Sequence, residues 1–143
     1  MAKSKTKRSS SKSRKTSKST KSFNIIHFLL HLLNVVKLYH WKTLSYPTHK
    51  ATDELYDELN GLIDNFAEVL LGKNNRSILN IKPINAEAQS NPQLIKYVED
   101  CKKKLNNLTS LSSVVNESDT DLLNIRDEIL AALNKFTYLL TLK

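Results

Sequence analysis

The chain has 143 residues, 40% of them hydrophobic, with only two glycines and three prolines; that length suits one domain, and so few turn formers favour an all-α fold. The net charge of +8 is concentrated, because residues 1–22 hold nine Lys or Arg and no acid while residues 23–143 hold 13 basic and 14 acidic side chains and come out at −1. A single cysteine excludes an intrachain disulfide, which points to an intracellular protein. No run reaches the ~18 apolar residues of a membrane span, and His27, His31, Asn34 and Lys37 interrupt the one stretch that resembles a signal-peptide core.

In chain order, residues 1–22 are Lys, Arg, Ser and Thr after Met1 and Ala2. Such a segment has nothing to bury and is expected to be disordered. Lys3, Lys5, Lys7, Arg8, Lys12, Arg14, Lys15, Lys18 and Lys21 are expected to hold nucleic-acid phosphates, each contact releasing counterions. No aromatic is interleaved, so base stacking is unavailable and binding should ignore sequence. An oligomer carrying many tails would multiply the weak contact by avidity.

The first helix is expected over 23–44, apolar around most of its girth, with Asn24, His27, His31 and Asn34 as a narrow polar stripe. His27 and His31 share no face with a carboxylate and read as partly exposed or inter-subunit polar residues. His40 continues an apolar line and points inward, and the short connection Trp41–Thr48 brings it toward the next helix.

That helix, expected over His49–Gly72, has two faces. Leu55, Leu59, Leu62, Phe66 and Leu70 form a core stripe. At about 100° per residue, His49, Asp53, Asp57, Asp64 and Glu68 gather within about 100° on another face. His49 with Asp53, and Asp64 with Glu68, are i,i+4 pairs able to offer two ligand atoms each. Their midpoints lie about 22 Å apart along one helix, so they cannot share a metal within one chain. Two copies antiparallel across a twofold near Leu59 and Asn60 bring His49 and Asp53 of one opposite Asp64 and Glu68 of the other, giving two identical sites per dimer. Gly61 lies near the crossing, where a missing side chain permits close approach.

The connection 73–91 is long enough to return to the far end of a helical pair, with at most a turn or two around Ala86–Gln89. Pro92, after Asn91 as N-cap, starts a third helix whose stripe runs through Leu94, Val98, Cys101, Leu105, Leu108, Ser112 and Val115. Cys101 on that stripe reads as a buried small hydrophobe. Asp119 or Ser118 caps a fourth helix to about Leu142, with Leu122, Ile125, Ile129, Leu133, Phe136 and Leu140 inward. Neither helix carries an inward ligand set, which disfavours a site built within one chain.

The run Tyr39-His40-Trp41, then His49, Asp53, Glu54, Leu55, Tyr56, Asp57 and Glu58, then Asp64, Ala67 and Glu68, resembles the ferroxidase segment of the Dps family, the ferritin-like DNA-protecting proteins of starved cells. The resemblance covers residues 33–72 and keeps the order of ligands, a His before Trp, a second His, then Asp, Asp and Glu. It implies a ferritin-like four-helix bundle over 23–143, in which His40, His49 and Asp53 of one subunit join Asp64 and Glu68 of a twofold partner to bind iron and oxidise Fe(II) with peroxide or oxygen. Trp41 would sit beside the iron and supply an electron during peroxide reduction. It further implies a homo-oligomer, a dimer at least, with the family's dodecameric shell as the larger alternative, that binds DNA through its tail in the nucleoid. The stretch between His40 and His49 is shorter than in that family, and the short mid-chain helix of its members is nearly missing. Short ferritin-like proteins of large DNA viruses are similar too, which would place the chain in a virion. The alternative is a non-enzymatic helical oligomer that condenses nucleic acid and uses the acidic face only as a polar contact.

Overall fold

The computed structural model describes residues 23–142, and the basic tail lies outside the described residues. The elements are α1 (Ile25–Lys42), α2 (Tyr46–Lys73), a 3-10 turn (Arg76–Leu79), α3 (Asn91–Asn106), the short α4 (Leu108–Leu111) and α5 (Thr120–Leu139). The fold is all-helical.

Local chemistry sets the helix ends. The Asn24 side chain accepts from the His27 amide at 3.0 Å and starts α1 two residues later than the apolar run suggests. Ser45 caps α2 by accepting from the Thr48 amide, with Pro47 in the first turn, so α2 begins at Tyr46 rather than His49. Ser90, not Asn91, caps α3 in a capping box with Gln93. The third helix then stops at Asn106; α4 resumes for one turn, Ser112 ends it in extended backbone, and Val115 is buried from outside any helix. Asp119 precedes α5 as expected, but that helix ends at Leu139, short of Leu142.

On α2 the buried line is Leu55, Leu59, Ile63, Phe66 and Leu70. Leu62, expected inward, is only half-buried and packs at the edge of the core, because the core stripe is centred nearer the Ile63 side of the helix. Phe66 is 1% exposed at the middle of this line. Phe66→Ala is expected to cost about 3–5 kcal/mol, the transfer term plus a cavity. Urea unfolding followed by circular dichroism would measure it.

Packing runs α1 on α2, α2 on α5 and α5 on α3. Tyr97 on α3 reaches back to His31 on α1, and the Tyr39 hydroxyl on α1 hydrogen-bonds Asn91 at the start of α3, closing the circuit. The directions follow from which ends meet. The start of α1 and the end of α2 line one hollow through Asn24 and Leu70, and Lys73 joins the end of α2 to the start of α5. So α1 and α5 run one way, α2 and α3 the other.

The segment between α2 and α3 therefore has to return the full length of the molecule, and it does so along α1. Asn24 donates to the Ile78 carbonyl at 3.2 Å, His27 lies 3.4 Å from that of Pro83, His31 3.1 Å from that of Asn85, and Lys42 donates to that of Ala88 at 3.2 Å. The polar stripe of α1 is thus a clamp for this strap. His27 and His31 are partly exposed, one of the two expectations for them, and their ring nitrogens lie against carbonyls that no helix or sheet pairs. No helical turn forms around Ala86–Gln89; the one turn of the connection sits earlier, at Arg76–Leu79.

Lys73 Nζ lies 2.7 Å from Asp119 Oδ1 and 2.6 Å from Asp121 Oδ1. The two hydrogen bonds raise its pKa and hold both carboxyls below their ordinary 3.8. Depressed carboxyls stabilise the fold above that ordinary value and lose the contribution as pH falls through the lowered ones; the raised amine contributes below its ordinary 10.5 and loses it as pH rises through the raised value. Lys73→Met is therefore expected to flatten the acid limb of a melting-temperature profile below about pH 4. At neutral pH the shift should be a few degrees at most, since the contact is at the surface. Thermal melts across that range check both.

Candidate metal centre

The connection Thr43–Ser45 between α1 and α2 is short, and its shortness forces the last turn of α1 against the first turns of α2. His40 and His49 meet there. Their rings stack with centroids 3.9 Å apart and planes 25° from parallel. His40 Nδ1 lies 3.1 Å from the His49 carbonyl, and His49 Nδ1 lies 3.0 Å from the His40 carbonyl. A carbonyl can only accept, so each Nδ1 carries a hydrogen, the tautomer in which an imidazole's lone pair lies on Nε2. Both histidines hold the tautomer and orientation that a metal-binding imidazole uses when a backbone carbonyl fixes its other nitrogen.

His40 is buried, 7% exposed, as its place on the apolar line suggests. Thr52, fully buried, adds a second acceptor at 3.3 Å from His40 Nδ1, while its own hydroxyl donates to the Thr48 and His49 carbonyls at 2.9 Å. His40 Nε2 faces Asp53 Oδ1 at 3.6 Å. Lys37 Nζ lies 4.0 Å from the same oxygen, sits over the Tyr56 ring at 4.3 Å and lies 5.9 Å from the Trp41 ring. Asp53 thus stands between the His40 imidazole and the Lys37 ammonium.

His40 lies against His49 on one side and Asp53 on the other. Trp41 lies beside them through Lys37 but is 69% exposed, an indole left on the surface. Asp64 and Glu68 are exposed on the same side of α2, far along the helix from His49. Among the described residues no three His, Cys, Asp or Glu side chains of one chain are close enough to hold a metal. One chain presents two oriented imidazoles with a carboxylate at one end of α2, and two carboxylates at the other.

Sequence reasoning missed Thr52 and Lys37. Each is detectable by helical spacing, Thr52 at i+3 from His49 and Lys37 at i−3 from His40, yet neither residue type announces itself as a ligand. It also missed a hydrogen-bonded chain away from this centre. Tyr97 donates its hydroxyl to His31 Nδ1 at 2.6 Å, His31 Nε2–H then serving Asn85. Burial pushes the Tyr97 hydroxyl up and the Cys101 thiol up to about 11, so Cys101 is a protonated core residue, as its stripe position predicts.

A family model, described as a family of unknown function, DUF5856, matches residues 40–140. The chain belongs to the DUF5856 family. The match opens at His40 and takes in all of α2 through α5, so His40, His49, Asp53, Asp64 and Glu68 fall inside it. No curated protein and no solved structure matches the chain.

Proposed function

We propose that this DUF5856 member is a Dps-like ferroxidase: a ferritin-like four-helix bundle, at least dimeric, that binds Fe(II) between subunits and oxidises it while its basic tail holds DNA. The observation that carries the reading is the reciprocal pair of Nδ1–H to carbonyl bonds between His40 and His49, which leaves both Nε2 lone pairs for a ligand. A core role for these histidines needs no such tautomer in both rings. Two neutral imidazoles and an adjacent carboxylate suit Fe(II), and further carboxylates favour the Fe(III) formed when an electron leaves for oxygen or peroxide.

Three features support the assembly. The strap along α1 is compatible with the long crossover that ferritin-like bundles use. The incomplete donor set of one chain is what a site shared across a twofold requires. Gly61 is exposed, with open space where a Cβ would stand, so nothing in its own chain calls for glycine. A helix-interior glycine costs about 1 kcal/mol relative to alanine, a cost that close approach of a second helix would explain.

In use, Thr52 and the two carbonyls hold the imidazoles, Asp53 exchanges the Lys37 ammonium for the incoming cation, and Asp64 and Glu68 of the partner subunit complete the charge balance. The tail would keep DNA beside the place where iron and oxidant are removed. Aerobic Fe(II) oxidation, followed by absorbance, tests the reading. The Asp64→Ala/Glu68→Ala variant should lose at least about tenfold in rate with unchanged sedimentation, because it removes donors and not packing. A wild-type rate in that variant would remove the site.

A further inference from the structure

Trp41, Leu44 and Tyr46 stand together at the corner between α1 and α2, 69%, 103% and 73% exposed. Three large apolar side chains on one tip are more than a monomer's scattered surface hydrophobes and point to an interface. Tyr46 lies three residues before His49 and seven before Asp53, on the same meridian of α2 as the proposed ligands. At the opposite end that meridian opens into a hollow of about 490 Å³ lined by Glu68, Leu71, Gly72, Asn74, Asn75 and Arg76.

We infer that this apolar tip seats in the hollow of a second copy of the chain, so that each subunit of the dimer is locked at both ends and the shared metal centre is closed from water. The inference rests on the proposed site only for its register. An antiparallel pairing that sets His49 opposite Glu68 and Asp53 opposite Asp64 puts residue 46 opposite residue 71 and residue 44 opposite residue 73, with Asn75 two residues further on. That register comes from the ligands alone, yet it delivers the exposed tip onto the hollow, and Glu68 belongs to both. Arg76 on the rim offers a guanidinium to the indole and phenol faces. Two copies of the contact bury six side chains, and at about 150–250 Å² for each aromatic they remove on the order of 1,000 Å² of surface, the least that a specific interface needs.

The test uses the full chain. Leu44→Cys and Asn75→Cys chains are mixed and treated with a short thiol cross-linker; the native Cys101 is buried. The two ends of one α2 lie on the order of 40 Å apart, so a short link has to join different subunits. We expect a covalent heterodimer from the mixture and little from either variant alone. In parallel, Leu44→Ser/Tyr46→Ser should raise the dimer dissociation constant at least about tenfold by sedimentation. A wild-type dimer that yields no 44–75 link overturns the inference, and if its iron oxidation still depends on Asp64 and Glu68 the metal centre stands without it. A link formed in a protein whose oxidation ignores those two residues keeps the interface and removes the ferroxidase.

Discussion

Mixing two inactive variants should restore activity. His49→Ala removes an imidazole from each site and Asp64→Ala/Glu68→Ala removes the opposing carboxylates, so each homodimer carries two damaged sites and should oxidise Fe(II) about 100-fold more slowly than wild type. In a heterodimer the damage is not shared equally. One site combines the His49→Ala half with the carboxylate-deficient half, while the other joins an intact His40–His49–Asp53 half to an intact Asp64–Glu68 half. Equal co-expression makes half of the dimers mixed, each with one working site of two, so the mixture should recover about a quarter of the wild-type rate. A site contained within one chain predicts no recovery at any ratio. The readout also separates ligand loss from misfolding, because a misfolded chain cannot complement its partner.

The inner half of this arrangement was legible because both of its histidines sit where helical periodicity has few alternatives. His40 lies on an apolar line that leads inward, and His49 opens the charged face of the next helix; the turn between them is too short to do anything but appose them. What the pattern does not carry is how each ring is held, since the acceptors are backbone carbonyls, which every residue possesses. Thr52 is invisible for a similar reason: a threonine at a buried helix position reads as small and neutral until the imidazole beside it is known. The main shifts in the fold are boundary effects of capping chemistry. Ser45 and Ser90 each won over the residue favoured from periodicity because a hydroxyl reached the amide of the first turn. Leu62 yields to Ile63 because the buried stripe is centred nearer Ile63 and leaves Leu62 at its edge. The polar stripe of α1 is partly exposed as its pattern suggests, but its partners are not legible, because they are the carbonyls of a strap with no pattern of its own.

Deleting residues 2–22 should abolish DNA binding and leave iron oxidation intact. The remaining chain has a net charge of −1 and its exposed α2 face is acidic, so it offers phosphates repulsion rather than a second basic surface. With six or more of the nine tail cations engaged, the intact protein should lose about 10³-fold or more in affinity between 50 and 200 mM salt, the signature of counterion release. Fluorescence anisotropy with two unrelated duplexes would show the same slope for both, because lysines and arginines without interleaved aromatics read charge and not bases. Equal DNA binding by the truncated and intact proteins at matched salt would place the contact on the helices and detach compaction from the tail. If binding is lost while the oxidation rate is unchanged, the chain has two separable parts. The exposed acids of α2 would then also keep that face from holding DNA, which would account for the positive charge being gathered on a segment of its own.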